Sequence, residues 1–362
     1  MELKRPLDYA KAICDTKMRE IPDAKDLPPA PRFHYHQGVF LSGMMKTYAL
    51  CGEQKYFNYV KRYIDTYVDG DGNVSHWDHG QMDDIQPGIL LYPLYDATQD
   101  PRYVKAMNQL IGAFLDYPRN DDGGLWHKSF RYHQMWLDGL YMGGPFMSEY
   151  GERFGRPEYT DFCVKQALLM EKHTKDPVTG LFFHAFDDSR REAWSDPVTG
   201  CSHEFWGRSV GWVPVGLLDD LDHIPEDHPQ RAEVIREVTD LLKAVCRFQS
   251  EDGRWYQVVN KGSEPDNWLE NSCSSLFSAA LFKAVRKGFL PEEYLDIAWR
   301  GYEGVIRSLE YDGDNVLLGH VCIGTGVSDY QYYIDRPTSV NDLHGMGAFL
   351  IMCAEAETAA RA

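Results

Sequence analysis

No run in this 362-residue chain approaches the roughly 18 consecutive apolar residues that a membrane span needs. No basic block offsets a formal net charge of −18, which argues against a nucleic-acid or anionic-membrane surface. The eight cysteines, at 14, 51, 163, 201, 246, 273, 322 and 353, form no C-x-x-C pair and no tight cluster. They read as reduced core thiols rather than disulfides or a zinc site. A Gly-rich phosphate loop ending in Lys-Ser/Thr, a G-x-S-x-G turn and a dinucleotide fingerprint are all missing, which sets aside ATP, serine-nucleophile and NAD chemistry. Alternating β patterns are few and short, WYQVV being one. The opening MELKRPLDYAKAICDTKM lacks the apolar core and cleavage site of a secretory signal, so cytoplasmic residence is the expectation.

What the chain does have is aromatic weight, 13% with nine Trp and 22 Tyr, and helical periodicity almost throughout. Apolar residues recur at three- and four-residue intervals in FLSGMMKTYAL, YFNYVKRYIDTYV, YVKAMNQLIGAFL and VIREVTDLLKAVCRF. The pattern predicts helices near 8–18, 33–51, 54–69, 84–98, 102–117, 136–153, 158–174, 204–222, 229–249, 267–287, 292–309 and 338–360. Every second connection is short, as at CGE, TQDPR, FGRPE and IPEDHPQ, and short links make antiparallel hairpins. The alternate connections are long and repeat a turn followed by aromatic or His residues, with glycines at 72, 124, 180, 253 and 313. Six like hairpins suggest a closed toroid, an all-α (α/α)6 barrel forming one domain over 1–362. An open α-solenoid serving as an interaction surface is the other architecture such repeats allow. In a toroid the helices that follow the long loops carry the small residues and form the inner ring. Their N-termini then converge on one face with free N–H groups suited to an anion.

In QMWLDGLYMGGPF a single carboxylate, Asp138, sits between Trp136 and Tyr141 at the start of an inner helix. Capping is the ordinary role for Asp at such a place. Aromatic surroundings instead point to a raised pKa and a general acid. In MDDIQPG, Asp83 and Asp84 begin the preceding inner helix, and one of them would face Asp138 across the mouth, either as a glycosidase pair or as a coupled pair sharing a proton. For Asp83 the capping role is preferred. In EFWGRSVGWVP, Arg208 and Trp212 are four apart, hence on one helix face, giving a cation for a carboxylate and a ring for a sugar. Histidines gather in the long loops: His34, His36, His76, His79, His127, His184 and His203. The His76, Asp78, His79 group matches no diagnostic metal-ligand spacing.

The strings MDDIQPG, GGLWHKSF, QMWLDGLYM, DPVTGLFFHAFDDS, DPVTGCSHEFWGRSVGW, PEDHP, WYQVV and NWLENSCSSLF, running in order from about 33 to 350, resemble glycoside hydrolase family 105, the unsaturated rhamnogalacturonyl and glucuronyl hydrolases. The resemblance implies an (α/α)6 barrel, no metal or organic cofactor, and a small anionic oligosaccharide as substrate. It places the catalytic aspartate on Asp138 and the DD-motif aspartate on Asp84. Substrate contacts fall on His127, Trp136, His184, Arg208 and Trp212. His36 joins them at HQGVF, where this chain departs from the family's usual aromatic. The implied chemistry is hydration of a C4=C5 double bond in a terminal unsaturated uronate, with Asp138 as a protonated donor, and a rhamnogalacturonan disaccharide as first expectation. Ulvan-type fragments, a two-carboxylate glycosidase acting on saturated sugars and a His-pair epimerase are the competing readings.

Overall fold

The computed structural model describes residues 4–361. Its α-helices, in chain order, are α1 (Pro6–Glu20), α2 (Tyr35–Cys51), α3 (Gln54–Tyr67), α4 (Leu91–Thr98), α5 (Pro101–Gly112), α6 (Asp138–Arg153), α7 (Pro157–Thr174), α8 (Gly207–Asp220), α9 (Arg231–Cys246), α10 (Asn271–Arg286), α11 (Tyr294–Arg307), α12 (Tyr330–Ile334) and α13 (Leu343–Arg361). None among the described residues is long and apolar enough to cross a membrane.

Six of these elements close a ring. Helix α2 packs on α13 and on the 3-10 turn 86–90 that leads into α4; that turn packs on α6, and α6 continues through α8 and α10 back to α13. Each has an outer partner: α3 on α2, α5 on α4, α7 on α6, α9 on α8, α11 on α10 and α1 on α13. The toroid is therefore the observed architecture, with the first and last helices forming the sixth pair. Composition explains the layering. Helices α8 and α10 are buried nearly all round, the mark of helices surrounded by others, whereas α3 and α11 bury one stripe and show a charged face to water. Close approach inside the ring needs missing side chains. A Cβ on Gly347 would stand 2.5 Å from the Val39 backbone, and one on Gly216 would stand 3.0 Å from Tyr141 Cα.

Two segments differ from the helical expectation for physical reasons. The stretch expected to open this helix forms two 3-10 turns, Met82–Asp84 and Gln86–Leu90, rather than α-helix, since Pro87 has no N–H to give an α-helical ladder; α4 proper begins at Leu91. Helix α5 ends at Gly112 rather than near 117. The inner helices also begin later than their periodicity suggests, since the residues before them run extended along the mouth. Strand β1 (Gln134–Trp136), directly before Asp138, pairs antiparallel with β2 (Ala185–Asp187), joining the loops that carry Asp138 and His184. The repeated DPVTG turns fold alike: Asp176 and Asp196 each accept the backbone N–H of the threonine three residues on, and Gly180 and Gly200 take φ of 75° and 81°. All eight cysteines are free, and six of them are buried.

One feature inside the wall works against stability. Glu237 on α9 is fully buried with neither carboxylate oxygen hydrogen-bonded, and burial, reinforced by Glu171, drives its pKa well above the ordinary value. A carboxyl with a raised folded-state pKa stabilises only below its unfolded value of about 4.3, so it penalises the fold as pH rises. Glu237→Met is expected to raise the melting temperature by about 2 °C or more at neutral pH, with the gain shrinking as pH is lowered towards 4. A pH-independent change, or a loss at neutral pH, in thermal melts would contradict this.

Candidate active site

Asp138 is the first residue of α6, its side chain 14% exposed, on the face where the inner helices begin. Its Oδ2 lies 3.2 Å from His184 Nε2, and His184 Nδ1 lies 2.8 Å from the Tyr333 hydroxyl. Tyr333 also accepts the Ser328 N–H at 3.3 Å, which leaves its own proton for His184 Nδ1. The other imidazole nitrogen then carries the hydrogen that donates to Asp138. The relay links three separated parts of the chain and fixes both the tautomer and the plane of a fully buried imidazole. Burial alone would raise the Asp138 pKa; the His184 hydrogen bond, with the His184 and His127 rings beside it, outweighs that, and the net displacement is downward. The expectation of an apolar frame that keeps Asp138 protonated therefore fails for the free site, because that frame contains a donor aimed at the carboxylate.

The second acidic group is Asp83. Its carboxylate is 2.7 Å from Lys128 Nζ and 3.4 Å from His127 Nε2. Burial would raise its pKa, but His127 and Lys128 hold it well below the usual carboxylate range. His127 feels both Asp83 and Asp138, and desolvation lowers its own pKa to about 4, so the ring is neutral near pH 7. It stacks on Trp136 with ring centres 4.6 Å apart, and Trp136 meets His184 edge-on at 5.6 Å. Beneath His127 and Trp136 a cavity of about 20 Å³, bordered by Met82, Leu125 and Gly139, has room for about one water near the unpartnered His127 Nδ1.

Asp84, expected to be the acidic partner, is elsewhere. It is fully buried and accepts from the Asp78 N–H at 2.7 Å, from the Arg32 guanidinium at 3.2 Å and from His34 Nδ1. These bonds fasten the 78–84 loop to the segment before α2, and its neighbour Asp83 takes the place near His127. Trp212 also departs from expectation: it is 0% exposed and stacks on Tyr141 at 4.5 Å inside the ring, where it offers no face to a sugar. Arg208 is 1% exposed, and its guanidinium donates to Cys322 O at 2.7 Å, Ile323 O at 2.8 Å and Ser272 Oγ at 3.3 Å, with Glu270 at 3.8 Å. It rests over Trp206 and anchors the 321–323 segment, so the carboxylate-binding role expected of it is already filled by backbone carbonyls. His36 lies with His344 and Asp342 rather than beside Asp138. Around Asp138 the structure thus gathers His127, Trp136 and His184 from the expected set, and adds Asp83, Lys128, Tyr333 and Trp206, whose ring centre lies 4.8 Å from that of His184. His76, Asp78 and His79 do not converge: His79 stacks on Trp77, and Asp78 accepts from Gly80 and Gln81.

Two carboxylates with unlike surroundings, a neutral imidazole between them, and stacked aromatic rings make a pocket suited to proton transfer beside a flat polar ring. Comparison with known proteins points the same way. The sequence profile of Glycosyl Hydrolase Family 88 matches residues 9–360. A solved glycoside hydrolase of family 105 from Clostridium acetobutylicum ATCC 824 has the same fold with a TM-score of 0.92, at 32% identity, over 97% of this chain and 99% of that one. The unsaturated rhamnogalacturonyl hydrolase YesR of Bacillus subtilis strain 168 is 27% identical over 297 residues, 80% of this chain and 79% of that protein. Protein Atu3128 of Agrobacterium fabrum is 32% identical over 235 residues, 61% of this chain and 100% of that protein. With a toroid, an acidic mouth and a family profile covering nearly its whole length, this chain belongs to the glycoside hydrolases of families 88 and 105.

Proposed function

We propose that the enzyme releases a 4,5-unsaturated uronic acid from the non-reducing end of a rhamnose-linked oligosaccharide, by hydration of the C4=C5 bond, with Asp138 as the proton donor. The observation that carries the reading is the unequal treatment of the two acids. Lys128 pins Asp83 as an anion, so Asp138 is the group left free to change protonation state. Substrate supplies the change: its carboxylate is a like charge entering a site from which it also expels water, and both effects raise the Asp138 pKa. Protonated Asp138 then delivers its proton to C4, and positive charge develops at C5 and is shared by the ring oxygen. Water adds at C5 with the new Asp138 carboxylate as base. The C5 hemiketal opens, and the C1 hemiacetal releases the next sugar. Trp136 and His127 form the stacked wall against which the planar ring lies, and His184 steadies Asp138 whenever it is ionised. Rhamnose as the following sugar is supported by the names of the relatives, an unsaturated rhamnogalacturonyl hydrolase and an unsaturated 3S-rhamnoglycuronyl hydrolase of Alteromonas sp. strain LOR, 26% identical over 227 residues. The longer shared length with the first favours the rhamnogalacturonan disaccharide.

Turnover of a panel of lyase-generated disaccharides in heavy water tests the scheme. Loss of the conjugated ultraviolet absorbance with deuterium at C4 is expected, whereas direct hydrolysis by an acid pair would release sugar without either sign. Asp138→Asn should lower kcat/KM by at least about 10³-fold while leaving the melting temperature and substrate binding largely intact; near-normal rates would remove Asp138 from the chemistry. The pH profiles carry a sign. Activity that needs protonated Asp138 falls as pH rises through its pKa, which is depressed in the free enzyme and raised by bound uronate. The alkaline fall of kcat should therefore lie at higher pH than that of kcat/KM, and coincident or reversed limbs would show that substrate does not set the proton.

A further inference from the structure

Across the ring from α6, where α2 and α13 adjoin, a second group of side chains shares the mouth. His36 is the second residue of α2, Asp342 directly precedes α13, and His344 is the second residue of α13. One nitrogen or oxygen from each lies within 4.8 Å of the others, and the two imidazole centres are 5.1 Å apart. The hydrogen bonds around His344 leave an electrostatic conflict. His344 is fully buried, and its Nε2 sits 2.9 Å from Cys322 O. A carbonyl oxygen only accepts, so Nε2 carries the hydrogen. In the neutral ring Nδ1 is then a bare lone pair 2.8 Å from Asp342 Oδ1, a contact that becomes a hydrogen bond only when Nδ1 is protonated as well. Two lone pairs at that distance repel unless a cation sits with them. His36 Nδ1 is also buried without a partner.

We propose that His36, Asp342 and His344 bind a divalent transition-metal ion of the zinc class. Two imidazoles and one carboxylate suit zinc and its first-row neighbours, whereas calcium and magnesium call for oxygen shells. Bond lengths of about 2.0 to 2.2 Å put neighbouring ligand atoms about 3.3 Å apart on a tetrahedron, so the 2.8 Å His344–Asp342 pair must open and the wider spacings close, shifts that side-chain torsions can supply. The surroundings already resemble a prepared site. The non-ligating nitrogen of His344 is held by a backbone carbonyl, the arrangement that orients metal-binding imidazoles, and that carbonyl is itself fixed by Arg208 at 2.7 Å. The positive charge of Arg208 opposes a second cation, but Glu270 at 3.8 Å and two carbonyls balance it, and Asp83 adds negative charge on the same face. Gly324 lies 3.9 Å from the His36 ring, measured from where its Cβ would be, so no side chain there closes the remaining coordination positions to water or a sugar hydroxyl. The rival occupant is a proton, which would make His344 an imidazolium paired with Asp342.

Metal-stripped, tag-free protein titrated with Co²⁺ and Zn²⁺ separates the two. Calorimetry should show one Co²⁺ per chain, a visible ligand-field band should appear and be displaced by Zn²⁺, and either ion should raise the melting temperature. His36→Ala and Asp342→Asn should each weaken binding by at least about 10-fold, while His79→Ala leaves it intact. The proposal is overturned by folded wild-type protein that binds no ion saturably, by binding indifferent to both ligand substitutions, or by nitrogen-15 spectra in which His344 keeps protons on both nitrogens at neutral pH in excess Zn²⁺. None of these readouts uses turnover, so the outcome is independent of the hydrolase scheme.

Discussion

Closing six helices into a ring is the constraint on which the rest depends. Once the inner helices alternate with outer ones, all inner N-termini must lie on one rim, and the long loops that precede them must meet there. That rim concentrates backbone N–H groups and partial positive charge, which is how a chain with a net charge of −18 can gather carboxylates and still present a site for an anionic sugar. The glycine contacts on Val39 and Tyr141 serve the same end, since wider helix spacing would splay the rim and separate loops that must touch.

Within that rim, the proposed function rests on a difference between two acids. Asp83 has an ammonium partner and Asp138 an imidazole N–H, and these are not equivalent: the first is a fixed charge, the second a dipole on a ring that can also release or accept a proton. Desolvation acts on both carboxylates in the same direction, so the partners decide. The segment around 321–333 reinforces this from the far end of the chain, contributing Tyr333 to the His184 relay and the carbonyls that occupy Arg208.

Alternating short and long connections made the ring legible in the sequence, and the aromatic frame of QMWLDG singled out Asp138. The choice between Asp83 and Asp84 was not legible, because Pro87 turns the start of that element into 3-10 geometry and changes which neighbour faces inward. The pairing of Arg208 with Trp212 used a correct rule about helix faces. Four residues also advance about 6 Å along the axis, however, and that displacement carries Trp212 from the rim into the filled centre. Tyr333 left no signal, since a five-residue helix shows no period. Nor could the ionised state of Asp138 be read, because the hydrogen bond that sets it comes from a loop 46 residues away.

The pairing of α1 with α13 bears on how the ring is held shut. The backbone N–H of Leu7 meets Glu357 at 3.1 Å, so the wall has a seam sewn from two segments 350 residues apart in sequence. Helix α1 packs most heavily on α13 and less on α2, so opening that seam would bare much of its apolar stripe. The loops carrying Asp138, His184 and Tyr333 meet on the rim of the ring that this seam closes. The spacing of those loops is therefore tied to an unbroken circle, and a ring parted at this seam would be an open arc with an adhesive apolar edge.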